Sequence, residues 1–121
     1  GGAMSEKVWA RKWSRADMAP VAGIQGTWQR MVKPSADNRG MIMGIGELGP
    51  GVSMGWHAHA EPEVFFVVSG RGEAQWDEGG SRHSAPLEPG VAFYKVGGIP
   101  HCMVNTGSEP LIGVALKCDV S

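Results

Sequence analysis

The chain of 121 residues lacks several features that would assign it to a class of protein. It has only two cysteines, Cys102 and Cys118, which are too few for a disulfide scaffold. No apolar run approaches the roughly 18 residues that a membrane span needs, and the first residues lack the apolar core of a secretory signal. A net charge of −1 gives no electrostatic reason to expect nucleic acid or an anionic membrane as a partner. These absences favour a cytoplasmic protein with free thiols.

The sequence is instead rich in glycine and proline, with 19 and 8 residues, placed between short apolar runs. This spacing is typical of strands joined by turns. We interpret Gly1–Ala3 as a cloning remnant and residues 4–121 as a single domain. The predicted fold is all-β, an antiparallel jelly-roll β-barrel with little helix. Strands are expected at 27–32, 41–48, 52–59, 63–69, 72–78, 81–86, 91–96, 101–107 and 110–118, with an edge strand at 8–13 and a short helix at 14–18.

The stretch GVSMGWHAHAEPEVFFVVSG, from Gly51 to Gly70, contains the strongest chemical signal. Because side chains alternate along a strand, His57 and His59 point the same way. Glu63 begins the next strand and can return to the same side. Two imidazoles and a carboxylate suit a divalent transition metal. The plainer interpretation, which the stretch alone leaves open, is two surface histidines at a strand end with a solvated glutamate.

A second stretch, GVAFYKVGGIPHCMVN at 90–105, adds another histidine. Together the two stretches resemble the cupin superfamily motifs G-x5-H-x-H-x3,4-E-x6-G and G-x5-P-x-G-x2-H-x3-N. Every fixed position of the first motif matches, and the second departs only at Val96, where the family usually has proline. The resemblance implies a small β-barrel with one divalent metal (Fe, Mn, Ni, Cu or Zn) per chain and two open coordination positions. It implies as ligands His57, His59, Glu63 and His101.

Strand alternation also predicts the walls of the pocket. Phe65 shares a face with Glu63, and Met103 shares a face with the histidine of its own strand, so both are expected to line the pocket. Met41 and Met43 are candidates for a further apolar wall, although core packing is the plain alternative.

A candidate catalytic group lies in the strand predicted at 91–96. Lys95 is expected to face solvent, which would turn Tyr94 into the pocket as a proton donor or as a hydrogen-bond donor to an oxyanion. A core tyrosine bonded to the backbone is the alternative. Cys102 points away from the ligands and is interpreted as a small buried hydrophobe.

Members of the family with this ligand set include dioxygenases, decarboxylases, lyases and isomerases, so the fold does not select the chemistry. Apolar walls and the lack of a basic cluster for phosphate favour a dioxygenase-like oxidoreductase acting on a small organic molecule. The alternatives are a metal-dependent lyase or isomerase and a non-catalytic cupin that binds a small ligand or a metal. The first motif resembles small cupin lyases that cleave dimethylsulfoniopropionate, but those carry a tyrosine where this chain has Phe65. A homodimer is predicted, because residues 64–68 are apolar on both faces.

Overall fold

The computed structural model describes residues 7–120, which form two antiparallel β-sheets. The larger sheet has the strand order β1-β2-β3-β9-β4-β7, and the smaller has the order β6-β5-β8. The residues interpreted as a cloning remnant, and Met4 after them, lie outside the described part. The strands are β1 (Ala19–Pro20), β2 (Thr27–Val32), β3 (Met41–Leu48), β4 (Glu63–Ser69), β5 (Gly72–Glu78), β6 (Ser81–Leu87), β7 (Ala92–Lys95), β8 (His101–Asn105) and β9 (Leu111–Cys118).

The predicted all-β fold is confirmed, with differences in three segments. Residues 52–59 were expected to form a continuous strand but make only two isolated bridges to β8, at Ser53 and His57. Gly55, between these bridges, has a φ of 94°, which takes the backbone out of the extended conformation. Residues 8–13 do not form the expected edge strand. The expected helix at 14–18 is reduced to one 3-10 turn, Arg15–Asp17.

The hydrophobic core lies between the two sheets. Phe65 is at its centre, edge-on to Trp28 with 6.3 Å between ring centroids. A Cβ at position 113 would come within 2.3 Å of the Phe65 ring, so Gly113 leaves the space that the ring fills. The buried members of the core are Leu48, Met54, Phe65, Val67, Ala74, Leu87, Phe93, Met103, Leu111 and Ala115.

The segment before β1 is held against β2 and β3. Arg11 Nη1 donates to the carbonyl of Met31 over 3.3 Å, and the Ser14 amide donates to Gln29 Oε1 over 3.2 Å. Arg15 forms an ion pair with Glu47 of β3. These contacts hold the segment that leads into β1 against the larger sheet. None of the helices among residues 7–120 is long and apolar enough to cross a membrane.

Candidate metal centre

Three histidines from two separate segments of the chain converge at one place. His57 and His101 form a mutual backbone pair, with the His57 amide donating to the His101 carbonyl (3.1 Å) and the His101 amide donating back (2.9 Å). The carbonyl of His59 accepts the Gly98 amide at 2.8 Å. One ring nitrogen from each of the three side chains lies within 4.8 Å of the others. The backbone therefore brings together three of the ligands that the motifs predicted.

The loop after β7 packs very closely against the histidine segment. A Cβ at Gly97 would lie 2.0 Å from the carbonyl oxygen of Ala60, well inside the contact limit for any real side chain. Only glycine allows this approach, which lets the neighbouring Gly98 hold His59. Position 97 is thus part of the support of the site although it supplies no ligand.

Each imidazole is oriented by a backbone carbonyl at its Nδ1 atom. A carbonyl only accepts hydrogen bonds, so a neutral ring in this position carries its proton on Nδ1 and presents the lone pair of Nε2 to the centre. Such an outer partner fixes both the tautomer and the direction of a metal-binding histidine. The three Nδ1 contacts are His57 to Gly55 (3.1 Å), His59 to Glu61 (2.8 Å) and His101 to Ile99 (2.8 Å).

Burial keeps two of these imidazoles neutral at physiological pH. Burial lowers the pKa of His101 to about 4, against the opposing effect of its hydrogen bond to Ile99. Burial also lowers the pKa of His57, with a smaller contribution from the neighbouring His59. Neutral imidazole is the form that binds a metal, so the site needs little deprotonation before a cation enters.

The carboxylate of Glu63 faces the same centre. Its Oε1 lies 3.3 Å from Nε2 of His59 and 3.9 Å from Nε2 of His101. Both nitrogens are buried and have no hydrogen-bond partner among the described residues. Lone pairs on two nitrogens and a carboxylate oxygen therefore face one another, an arrangement that a cation between them would satisfy. The donor set fits a divalent transition metal.

Lys95 is a charged neighbour of the centre that the sequence interpretation placed on the wrong face. It is only 5% exposed, and its Nζ lies 2.9 Å from Oε1 of Glu63, its partner across the β4–β7 ladder. The ammonium also lies 4.4 Å from the centroid of the Phe93 ring. Burial lowers the pKa of Lys95, and the charge of Glu63 opposes that effect. Burial would raise the pKa of Glu63, but Lys95 and Lys117 together hold it below its usual value.

The inward orientation of Tyr94 was wrong. Because Lys95 and Phe93 point inward, alternation turns Tyr94 outward, where it is 64% exposed. The physical reason is the ion pair with Glu63, which makes burial of the lysine acceptable. Tyr94 therefore lies on the outer face of the sheet, away from the centre.

The cavity beside the histidines has a volume of about 460 Å³. Met43 lines it as predicted, whereas Met41 is 52% exposed and lies outside it. Phe65 and Met103 share the predicted faces but are buried deeper, in the core, and do not belong to the lining. The sequence interpretation also missed part of the wall, for which the apolar run APVAGI at 19–24 was the available signal. The missed residues are Ala19, Pro20, Val21, Ala22, Ile24, Trp28 and Met54.

The chain belongs to the cupin family, since the family model described as a cupin domain matches residues 44–116. The structure is similar to a Cupin 2 conserved barrel domain protein from Salinispora arenicola, with 27% identity and a TM-score of 0.75 over 93% of this chain and 90% of that one. A predicted oxalate decarboxylase from Thermotoga maritima has 23% identity and a TM-score of 0.65, over 77% and 79% of the two chains. A structure of DMSP lyases has 24% identity and a TM-score of 0.68, over 93% of this chain and 56% of that one. No curated protein matches the chain significantly.

Proposed function

We propose that this cupin binds one divalent transition metal through His57, His59 and His101, with Glu63 as a fourth ligand, and oxidises a small organic molecule with dioxygen. The observation that carries the proposal is the pair of buried, unpartnered Nε2 atoms facing the Glu63 carboxylate. A redox-active metal at this position would supply the means to bind and activate dioxygen. The chain itself supplies neutral, oriented imidazoles and a cavity wall that limits the access of water.

Three apolar side chains support the exclusion of water from the centre. Ile24, Trp28 and Met54 line the cavity and pack against the hydrophobic core. An apolar wall favours a small organic substrate and protects a reactive centre from hydrolysis. Glu63, held charged by its lysine neighbours, remains available as a carboxylate.

The same residues give less support to a lyase. Eliminations of the lyase type need a base beside the substrate. Tyr94 lies outside the barrel, and Phe65 occupies the core at the position where the resembling lyases carry tyrosine. Among the described residues that line the cavity, Glu63 supplies the only carboxylate, and it already contacts Lys95. The site is thus better equipped to hold a metal than to move a substrate proton.

We expect oxygen uptake to distinguish the oxygenase from the alternatives. The protein is loaded separately with Fe, Mn, Ni, Cu and Zn, and oxygen consumption is measured with a panel of small enol and carbonyl compounds. Redox-active metals should support turnover, and zinc should not. The His83→Ala variant, which changes an exposed histidine, serves as the control and should retain full activity. Turnover with zinc under strict anaerobiosis would favour a lyase or isomerase, and metal binding without any turnover would favour a non-catalytic cupin.

We further propose that the protein is a homodimer, formed through the outer face of the larger sheet. Phe66, Val68, Tyr94 and Leu116 are exposed there on neighbouring strands, and an apolar patch of this kind is suited to a second copy of itself. Light scattering at micromolar concentration should give twice the chain mass. Phe66→Lys should shift the mass to that of a monomer, whereas Val21→Lys, an exposed position beside the cavity, should not. A monomer mass for the unmodified protein would contradict the proposal.

A further inference from the structure

Two lysines lie beside the single glutamate of the cavity lining. Lys95 Nζ contacts Oε1 of Glu63 at 2.9 Å in a buried position, so these two charges match each other. Lys117 Nζ lies 3.8 Å from Oε2 of the same carboxylate, beyond hydrogen-bond distance. Glu63 therefore does not form a hydrogen bond with the ammonium group of Lys117.

Lys117 belongs to the wall of the cavity that carries the metal ligands. It is the β9 partner of Glu63 across the sheet, so the two side chains lie on the same face. Its side chain is 29% exposed, and it borders the cavity together with Arg30. Apart from the histidines, the charged residues among the described lining are two cations and one carboxylate. A divalent metal would add further positive charge to this wall.

The rest of the lining is mainly apolar. Val21, Ile24, Trp28 and Ile42 offer hydrocarbon and aromatic surface within reach of the charged wall. A cavity of about 460 Å³ with one cationic wall and apolar remaining walls suits a compact molecule with one anionic end.

We propose that the substrate of this cupin is a small monocarboxylate, with its carboxylate beside Lys117 and its apolar body against Trp28. This inference rests on the proposed metal site, because the same wall holds both the ligands and the lysine. Lys117 acts as a specificity residue that recognises the charge of the substrate. Lys95 has no such role, because it is buried behind Glu63.

The test uses zinc-loaded protein with phenylacetate and its uncharged analogue phenylacetamide. Binding is followed by calorimetry and by tryptophan fluorescence. The unmodified protein should bind the carboxylate at least about tenfold more tightly than the amide, as expected for a charge-assisted hydrogen bond. Lys117→Met should remove most of this preference without changing amide binding, and Lys117→Arg should keep it. Lys33→Met changes an exposed lysine that does not line the cavity and serves as the control.

The outcomes separate this inference from the proposed function. Zinc content is measured first, and failure to bind zinc would overturn both. If zinc binds but the carboxylate and amide bind equally, only the substrate class is wrong. If the preference persists undiminished in Lys117→Met, the assignment of Lys117 is wrong, since the metal alone would account for the selectivity.

Discussion

Replacing His59 and His101 together with alanine is expected to remove nearly all bound metal. The two Nε2 atoms that this change deletes are buried, lack other partners and lie beside Oε1 of Glu63. Loss of a single supporting contact to a metal ligand typically lowers affinity by about 10–100-fold, so loss of two ligands should exceed that range. Elemental analysis after dialysis against equimolar zinc should give one metal per chain for the unmodified protein and close to none for the double variant.

A matched control is available in His83. This histidine is exposed, stacks on Trp76 with 5.6 Å between ring centroids, and is not one of the three histidines whose ring nitrogens converge. His83→Ala should keep full occupancy, and circular dichroism should show that the double variant remains folded. Full metal occupancy in the folded double variant would refute the site.

The second large effect is expected from Lys95→Met, which should bind divalent metal about tenfold more tightly or better than the unmodified protein. Lys95 Nζ forms an ion pair with Oε1 of Glu63. Its positive charge repels a divalent cation that would bind the same oxygen. Methionine replaces the ammonium–ring contact with Phe93 by a sulfur–ring contact and removes both effects. Competition with a chromophoric chelator measures the change in affinity, with Lys33→Met as the control.

The same variant should behave differently without metal. Glu63 would then be a buried carboxylate without its closest counter-ion, a loss that typically costs about 3–5 kcal/mol. Urea denaturation should show a lower midpoint for the metal-free variant, and zinc should restore it by binding the native state. Weaker metal binding in Lys95→Met would show instead that the lysine positions Glu63 for the metal.

Much of the fold could be predicted from the sequence, because the residues that flank each apolar run mark where a strand begins and ends. Met41–Leu48 and Glu63–Ser69 begin and end where predicted, since apolar runs are bounded there by glycine, proline or polar residues. Local sequence rules suffice for bounds of this kind. The placement of His57 and His59 on one side needed the family motifs as well, because residues 52–59 make only isolated bridges and do not form the strand that the alternation argument assumed.

The orientation of β7 was not readable, because it depends on a partner in another strand. A lysine in a short strand is normally expected to face solvent. Lys95 faces inward instead because it pairs with Glu63 across the sheet. The depth at which Phe65 is buried could not be predicted from the sequence either. Phe65 shares the face of Glu63, as alternation requires. Its ring nevertheless packs in the core, because Gly113 has no side chain in the space that the ring fills. Both outcomes are set by tertiary contacts that a local pattern does not contain.

The close approach of Gly97 to Ala60 has a consequence for protein design. Anyone who transplants this centre onto another barrel would be inclined to copy the three histidines and the glutamate. A Cβ at position 97 would lie only 2.0 Å from the carbonyl oxygen of Ala60, so the scaffold must also reproduce a close crossing of the two backbones. A graft with alanine at that crossing would push the loop off the histidine segment and move the His59 donor away from its companions. The minimal transferable unit is therefore the four proposed ligands together with Gly97, which supplies no ligand.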